Sequence, residues 1–349
     1  MAVAAERKTA VGPLWVERVP GGWWALIFAL LTAPVWANDF FLFQVMGWTF
    51  VLGIIALSLM FLAGYGGMVS LLQMSVAALA GYMVAIFGTS GVEAISMNLP
   101  WWLVIPIAIL IAAIFGTLVG ALAVRTAGIY TIMITLAIAA AFFYFTRQNY
   151  DIFNGYTGFN LVVPPDLFGL DWRQPVPFYY LTLGCAAICY AAVVYVSRAP
   201  FGLALQGVRD NPRRMAALGY NVTAHRIAAY TFASVIAAIG GILLVWQNAQ
   251  IAPGTAGIPA VIDILVIAVV GGLARPIGPF IGALIYVLLR TFSPDVLLAF
   301  GLSGERFKLL IGLGFLAVVF FSPDGVLGLW ERFKQRRAEA RDPLTGRAE

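Results

Sequence analysis

Long uncharged apolar runs recur along the whole chain, and no water-soluble fold could bury them all. A segment inside lipid has no water for its amides, so each run must close its own backbone bonds as a helix of about 20 residues. Ten runs can be read, at residues 23–38, 42–62, 68–87, 101–124, 128–145, 176–196, 227–246, 258–274, 277–289 and 309–321. Composition agrees: 62% of the residues are hydrophobic and 11% charged, whereas soluble domains carry roughly 25% charged residues. The expected fold is therefore all-α, a polytopic membrane protein of about ten transmembrane helices. Residues 1–22 form a short cytoplasmic segment, 23–325 the membrane domain and 326–349 a basic cytoplasmic tail. Glu6, Arg7, Lys8, Glu17 and Arg18 precede the first run, unlike the purely basic lead of a cleaved signal peptide, so that run is expected to be retained.

The net charge of +5 does not point to nucleic acid. The arginines sit at the ends of apolar runs and form no basic face for phosphates. They report topology instead. With a cytoplasmic N-terminus, ten crossings leave only Arg147, Arg173, Arg290, Arg306 and Lys308 of the 21 basic residues outside, as the positive-inside rule requires. The eighth and ninth runs are short, and between Asp263 and Arg275 the uncharged stretch would rise only about 17 Å as helix. They can be two tilted, protein-buried crossings or one re-entrant hairpin from the outer side.

Glycines interrupt the helices in both halves. Gly64, Gly66 and Gly67 surround Tyr65, and Gly271, Gly272, Gly278 and Pro279 fall late in the chain. Glycine costs a helix interior about 1 kcal/mol relative to alanine, so breaks are expected at both places. Paired breaks mark substrate paths in transporters because they turn free backbone groups toward a cavity; close packing of small residues between helices is the competing explanation. Ser70, Gln73 and Ser75 follow the first cluster, and Asp263 opens the eighth run. A charge at that depth is a candidate functional group, unless it lies in the outer headgroup layer. The candidate substrate path is thus Gly64, Gly66, Gly67, Ser70, Gln73, Asp263, Gly271 and Gly272.

The longest polar interruption is residues 198–226, with Arg198, Arg209, Arg213, Arg214 and Arg226 against a single acid, Asp210. Asp210 and Asn211 before Pro212 read as a helix start, and Gly219 as its stop. A short helix with Ala216 and Ala217 on one side and arginines on the other suits docking into a partner's cleft, although an ordinary basic loop that only sets topology has the same composition. The outer stretch from 148 to 175 is turn-rich, with Asp151, Asp166, Asp171 and Arg173, and reads as a structured loop.

No ATP-binding loop is present, because Lys8, Lys308 and Lys334 are the only lysines and none follows a glycine. No paired acids or nucleophile, histidine and acid set suggests catalysis. Cys185 and Cys189 share one helix face and read as packing residues, since zinc would need two further ligands. His225, the only histidine, reads as a surface residue. This chain is therefore expected to bind no cofactor, and any ATP that drives it must bind a partner subunit.

At these residues the chain resembles the LivM-type permease subunits of bacterial branched-chain amino acid importers powered by ATP-binding cassettes. The resemblance is strongest at PFGLALQGVRDNPRRMAALGYNVTAHRIAAYTFASVIAAIGG, residues 200–241. It continues in LAGYGGMVSLLQMSVAALAGYM (62–83), RTAGIYTIMITLAIA (125–139), PPDLFGLDW (164–172), DILVIAVVGGLARPIGPFIGA (263–283) and FFSPDGVLGL (320–329). Leu72, where the family has glycine, and NGYTGFN at 154–160 depart from the pattern. The resemblance implies coupling to the ATPase through Arg209, Asp210, Asn211, Arg213, Arg214, Met215, Ala216, Ala217 and Gly219. It implies as partners two ATPase subunits, a second, LivH-like permease, an extracytoplasmic binding protein and the lipid bilayer, in the bacterial cytoplasmic membrane. Urea or short amides are alternative solutes. An ion-coupled secondary transporter or channel, or a structural membrane protein, would be a different class of protein.

Overall fold

The computed structural model describes residues 21–126, 128–165, 171–299, 312, 325, 326 and 328. The tenth apolar run, most of both terminal segments and Asp166 lie outside those residues. The chain begins with α1 (Gly21–Leu31) and α2 (Ala33–Trp36), then α3 (Phe41–Tyr65) and α4 (Gln73–Phe87). After α5 (Trp101–Ala123) and α6 (Ile129–Gln148) come α7 (Tyr150–Phe153) and strand β1 (Phe159–Asn160). Next are α8 (Pro175–Arg198), α9 (Pro200–Asp210), α10 (Pro212–Ala217) and α11 (Val222–Asn248). Strand β2 (Gln250–Ile251), α12 (Ile258–Gly271) and α13 (Gly278–Ala299) complete it. Five helices (α3, α5, α6, α8 and α11) are long and apolar enough to cross a membrane, and α4, α12 and α13 offer shorter apolar stretches.

Two expected helices are broken where the sequence suggested continuity. The first run is α1 and α2 rather than one helix: the Thr32 hydroxyl donates back to the Phe28 carbonyl at 2.8 Å, and Pro34 in the first turn of α2 has no amide to continue the ladder. The third run starts not at Met68 but at Gln73, with residues 66–72 non-helical.

Burial separates a central helix from a lipid-facing rim. In α3, 89% of the apolar window is buried, against 28% in α6 and in α8; a helix that is apolar all round belongs in the core. α4, α8, α11, α12 and α13 pack around it, and α5 lies against α4 and α11. α11 and α4 approach so closely that a methyl at Gly241 would overlap the Ala77 carbonyl, the small-residue contact that replaces hydrophobic driving force in lipid. α5 shows the membrane pattern directly. Ala108, Ala112, Val119 and Ala123 are buried, while Leu110, Ile114, Leu118 and Leu122, at four-residue spacing, are exposed. A helix bathed in water would put such large apolar groups inward.

The described part of the loop between α6 and α8 is structured, as expected, but by a device the sequence did not announce. β1 pairs antiparallel with β2, Phe159 opposite Ile251, across about 90 residues of chain. Tyr82 at the end of α4 meets Phe153 and Phe159 edge to face, and Asn154 donates to the Gly158 carbonyl at 2.6 Å.

Candidate functional site

The two glycine breaks meet in space. α3 ends in a wide π-type turn, Phe61–Tyr65, and a methyl on Gly64 would overlap the Leu273 carbonyl oxygen. Leu273 belongs to the turn between α12 and α13. These two helices run antiparallel: a methyl on Gly271 would strike the Gly278 carbonyl, one on Gly282 the Ile267 carbonyl, and Asp263 shares a side-chain hydrogen bond with Tyr286. Gly272 adopts φ +105°, and the backbone of Gly325 lies against it.

A single side chain covers this joint from the polar island. Arg209, the penultimate residue of α9, donates from Nη1 to the Gly64 carbonyl. Its aliphatic stem fills the space over Gly67, where a methyl would sit 2.5 Å from the Arg209 Cγ. Gly67 has φ +66°, a conformation that costs an L-residue about 1–2 kcal/mol. Arg209 also pairs with Asp210 at 2.9 Å, but the acid's side chain is 67% exposed, so that pair contributes little stability. The structure thus brings Gly64, Gly66, Gly67, Gly271 and Gly272 together with Arg209, and it leaves Asp263 away from them along α12.

The island is two helices, not one. The sequence did not reveal α9, whose Gly202, Ala204, Leu205 and Val208 are buried while Leu203, Arg209 and Asp210 face outward. Gly202 rests on the backbone of Val196 and Ser197 at the end of α8, and the Gln206 amide donates to the Ser197 carbonyl at 3.0 Å. α10 is the predicted short helix. Asn211 caps it by accepting from the Arg214 amide at 3.0 Å. The Gly219 amide donates to Ala216 at 3.0 Å and the Tyr220 amide to Met215 at 3.1 Å, the paired C-terminal bonds that require the positive φ of Gly219, +89°. Arg213, Arg214, Ala216 and Ala217 are all exposed, so no face of α10 is reserved for this chain; only Met215 touches it closely, with its sulfur over Gly207.

Ser70 and Gln73 lie deeper. Both are buried, as are Ser58, Ser75 and Thr135. The Leu71 amide donates to Thr135 Oγ1 of α6 at 3.2 Å, and Ser58 Oγ of α3 lies 3.1 Å from Gln73 Oε1. Thr135 and Ser58 were not singled out in the sequence; a hydroxyl inside an apolar run was the signal available. Ala274 and Arg275, in the turn after α12, are exposed and lie next to the joint.

The remaining singled-out residues have structural surroundings. Cys189 is buried and Cys185 half-buried on α8, both as free thiols. His225 is half-buried rather than a plain surface residue: it stacks on Phe201 at 5.7 Å and meets Tyr220 edge on. Among the described residues no group of histidine, cysteine and acidic side chains could hold a metal ion.

Against this geometry, residues 41–319 match the profile of a family described as branched-chain amino acid transport system, permease component. The high-affinity branched-chain amino acid permease LivM of Salmonella typhimurium is 22% identical over 297 residues, 78% of this chain and 65% of that protein. The probable LivM of Methanocaldococcus jannaschii is 25% identical over 63% of this chain and 67% of its own length. The ribose import permease RbsC of Haemophilus influenzae is 24% identical over 76% of this chain and 82% of its own. The chain spans about 65% of the length of the first curated relatives it matches. No solved structure matches it.

Proposed function

Because the chain belongs to the family of permease components of branched-chain amino acid transport systems, we propose that it is one permease subunit of an ATP-driven importer that passes a branched-chain or related amino acid across the bacterial cytoplasmic membrane. The substrate path would run past the glycine breaks and open alternately to either side. Two ATPase subunits would bind α10 from the cytoplasm, on which side both termini would also lie. A second permease would complete the pore and an extracytoplasmic binding protein would deliver the solute.

One observation carries this reading: Arg209, at the foot of α10, is bonded to the Gly64 carbonyl, and Gly64 is packed on Leu273. A push on the exposed α10 would reach both helix breaks through the Arg209 contact. Coupling of this kind needs a physical element with two arrangements, and the π turn of Phe61–Tyr65 is a place where a helix end can rewind.

The test is ATP-driven leucine uptake in proteoliposomes that contain the whole transporter. Ala217→Trp enlarges an exposed docking side chain without touching the bundle. We expect the variant to insert and to melt like the wild type, with uptake reduced at least about tenfold. Unchanged uptake would remove α10 as the coupling element. The likeness to a ribose permease supports a second reading, in which the solute is uncharged.

A further inference from the structure

α4 begins inside the protein without the partners a buried helix start requires. At about 22 Å it is too short to span a bilayer, and the residues at its start, Ser70, Leu71, Leu72 and Gln73, are all buried. Leu72 at its N-cap offers no side-chain cap, and the first turn holds no acid. The first bond of its ladder runs from the Val76 amide to the Leu72 carbonyl at 3.0 Å. The amides of Gln73, Met74 and Ser75 precede it in the first turn, where the helix itself offers them no carbonyl, and a turn at residues 71–72 leads into them. First-turn amides and the positive end of the helix dipole make such a start an anion site when nothing else satisfies them.

Side chains around it point the same way. Ser58 donates its proton to the Ile55 carbonyl at 2.6 Å and touches only one end of the Gln73 amide. The other end of that amide and the Ser75 hydroxyl have no partner, although Gln73 is 1% exposed and Ser75 fully buried. From α11, the buried Tyr230 hydroxyl approaches Ser70 without a hydrogen bond of normal geometry. Ser70 Oγ itself lies 3.4 Å from the Leu72 amide, over the start of α4. One turn earlier on α11, Arg226 is close enough to act on Tyr230, and its Nε is buried without a partner. Unmet buried donors cost about 1–3 kcal/mol each, and the groups named here lie on α4 and on α11, which is packed against it, with no acid among them.

We propose that the start of α4 binds the carboxylate of the translocated solute, with Gln73, Ser75, Tyr230 and the leading α4 amides as donors. This deepens the transport reading and rests on it. It also divides the two solute classes: an amino acid brings a carboxylate to this place, and ribose or urea does not. Arg226 holds the surroundings electropositive without needing to touch the ligand.

The experiment uses the assembled transporter in detergent without its binding protein, so that only the membrane site is read, by saturation-transfer NMR at millimolar ligand. The probes are L-leucine and L-leucinol, which differ by a carboxylate against a hydroxymethyl group, together with acetate, L-glutamate, D-ribose and urea. Leucine should bind the wild type at least about tenfold more tightly than leucinol, the discrimination expected of hydrogen bonds to a charged group. Gln73→Met, similar in shape and free of unmet donors, should fold normally and bring the two within about twofold. Gln73→Glu, which places its own carboxylate at the helix start, should also lose leucine while its melting point holds. Equal binding of leucine and leucinol to the wild type would overturn the proposal, as would an unchanged preference in Gln73→Met. If leucine fails to bind but acetate or glutamate does, and Gln73→Met weakens it, the carboxylate site stands and the amino acid assignment falls. If only ribose or urea binds, or no carboxylate binds at all, the proposal is wrong whatever the transport class.

Discussion

The two glycine breaks share a composition and differ in construction. Around Gly271 and Gly278, glycine brings backbone against backbone: two antiparallel helices close on each other through carbonyl contacts, and the turn is tight. After Gly64, Gly66 and Gly67, glycine does the reverse and releases the chain into a buried non-helical stretch, 66–72, before α4 resumes. The first break is crossed by a long side chain, Arg209, 39% exposed, whereas Gly271, Gly278 and Gly282 at the second pack on backbone atoms. The lesson is that a glycine cluster read from sequence marks a close approach but not its purpose. The late cluster fixes the arms of a hairpin, whereas the early one offers something to move.

This difference predicts the largest effect at the late cluster. Gly271→Val would drive its side chain into the Gly278 carbonyl and the Gly282 amide, and neither can retreat without parting α12 from α13. We expect a loss of about 3 kcal/mol or failure to accumulate in the membrane, measured by thermal unfolding in detergent. A Gly271→Val protein that melts normally would break the comparison at its firmer end.

At the early cluster the same change should separate stability from transport. Gly67→Ala meets a positive φ, worth about 1–2 kcal/mol, and the Arg209 stem, which can swing toward solvent. The chain should still fold, but the Arg209 bond to Gly64 should be lost, so uptake should fall by about tenfold or more. A double-mutant cycle with Arg209→Ala sharpens the point. If both act through one contact, the second change should add little to the first; additive losses would mean that Arg209 does not carry the coupling.

Asn211→Ala acts one step further out. It removes the bond to the Arg214 amide and should cost α10 about 1 kcal/mol. That helix makes little contact with the bundle, so global melting should hardly change while uptake drops by a fewfold. Equal loss of both would show that α10 belongs to the folded core and not to a partner.

Much of this was legible in the sequence, for reasons that differ from place to place. The membrane class followed from uncharged runs, and the α10 caps followed from local rules, since Asn211, Pro212 and Gly219 act within one turn of themselves. The position of α9 was hidden because its apolar face is narrow and its polar residues dominated the reading. Gln73 as the true start of α4 was also hidden: Met68 and Val69 are apolar enough to continue a helix, and tertiary contacts, such as Leu71 with Thr135, hold that stretch in a non-helical path. The β1 and β2 pairing joins two-residue strands far apart in the chain, which no local pattern can announce. Likewise, both glycine clusters were visible, but their meeting under Arg209 is a property of the fold.

The smallest effect is expected at Asp263, on the arm of the hairpin and away from its turn. Its carboxylate shares a hydrogen bond with the Tyr286 hydroxyl, and Arg290, one turn further along α13, acts on the same tyrosine while lying 5.2 Å from the centre of the Trp48 ring. That arrangement holds a charge by neighbours on two helices, as a structural group is held. Asn at this position keeps an acceptor for Tyr286 and removes only the charge, so Asp263→Asn should change stability by less than about 1 kcal/mol and uptake by less than about twofold. An ion-coupled transporter would depend on that charge, and abolished uptake in Asp263→Asn would favour it over ATP-driven transport. Asp263→Leu is the control: it strands the buried Tyr286 hydroxyl and should cost about 1–3 kcal/mol in melting, again with uptake retained in proportion to folded protein. If Asp263→Leu lost transport well beyond its loss of fold while Asp263→Asn did not, the hydrogen bond rather than the charge would be the functional element, and the hairpin would join the moving side of the comparison.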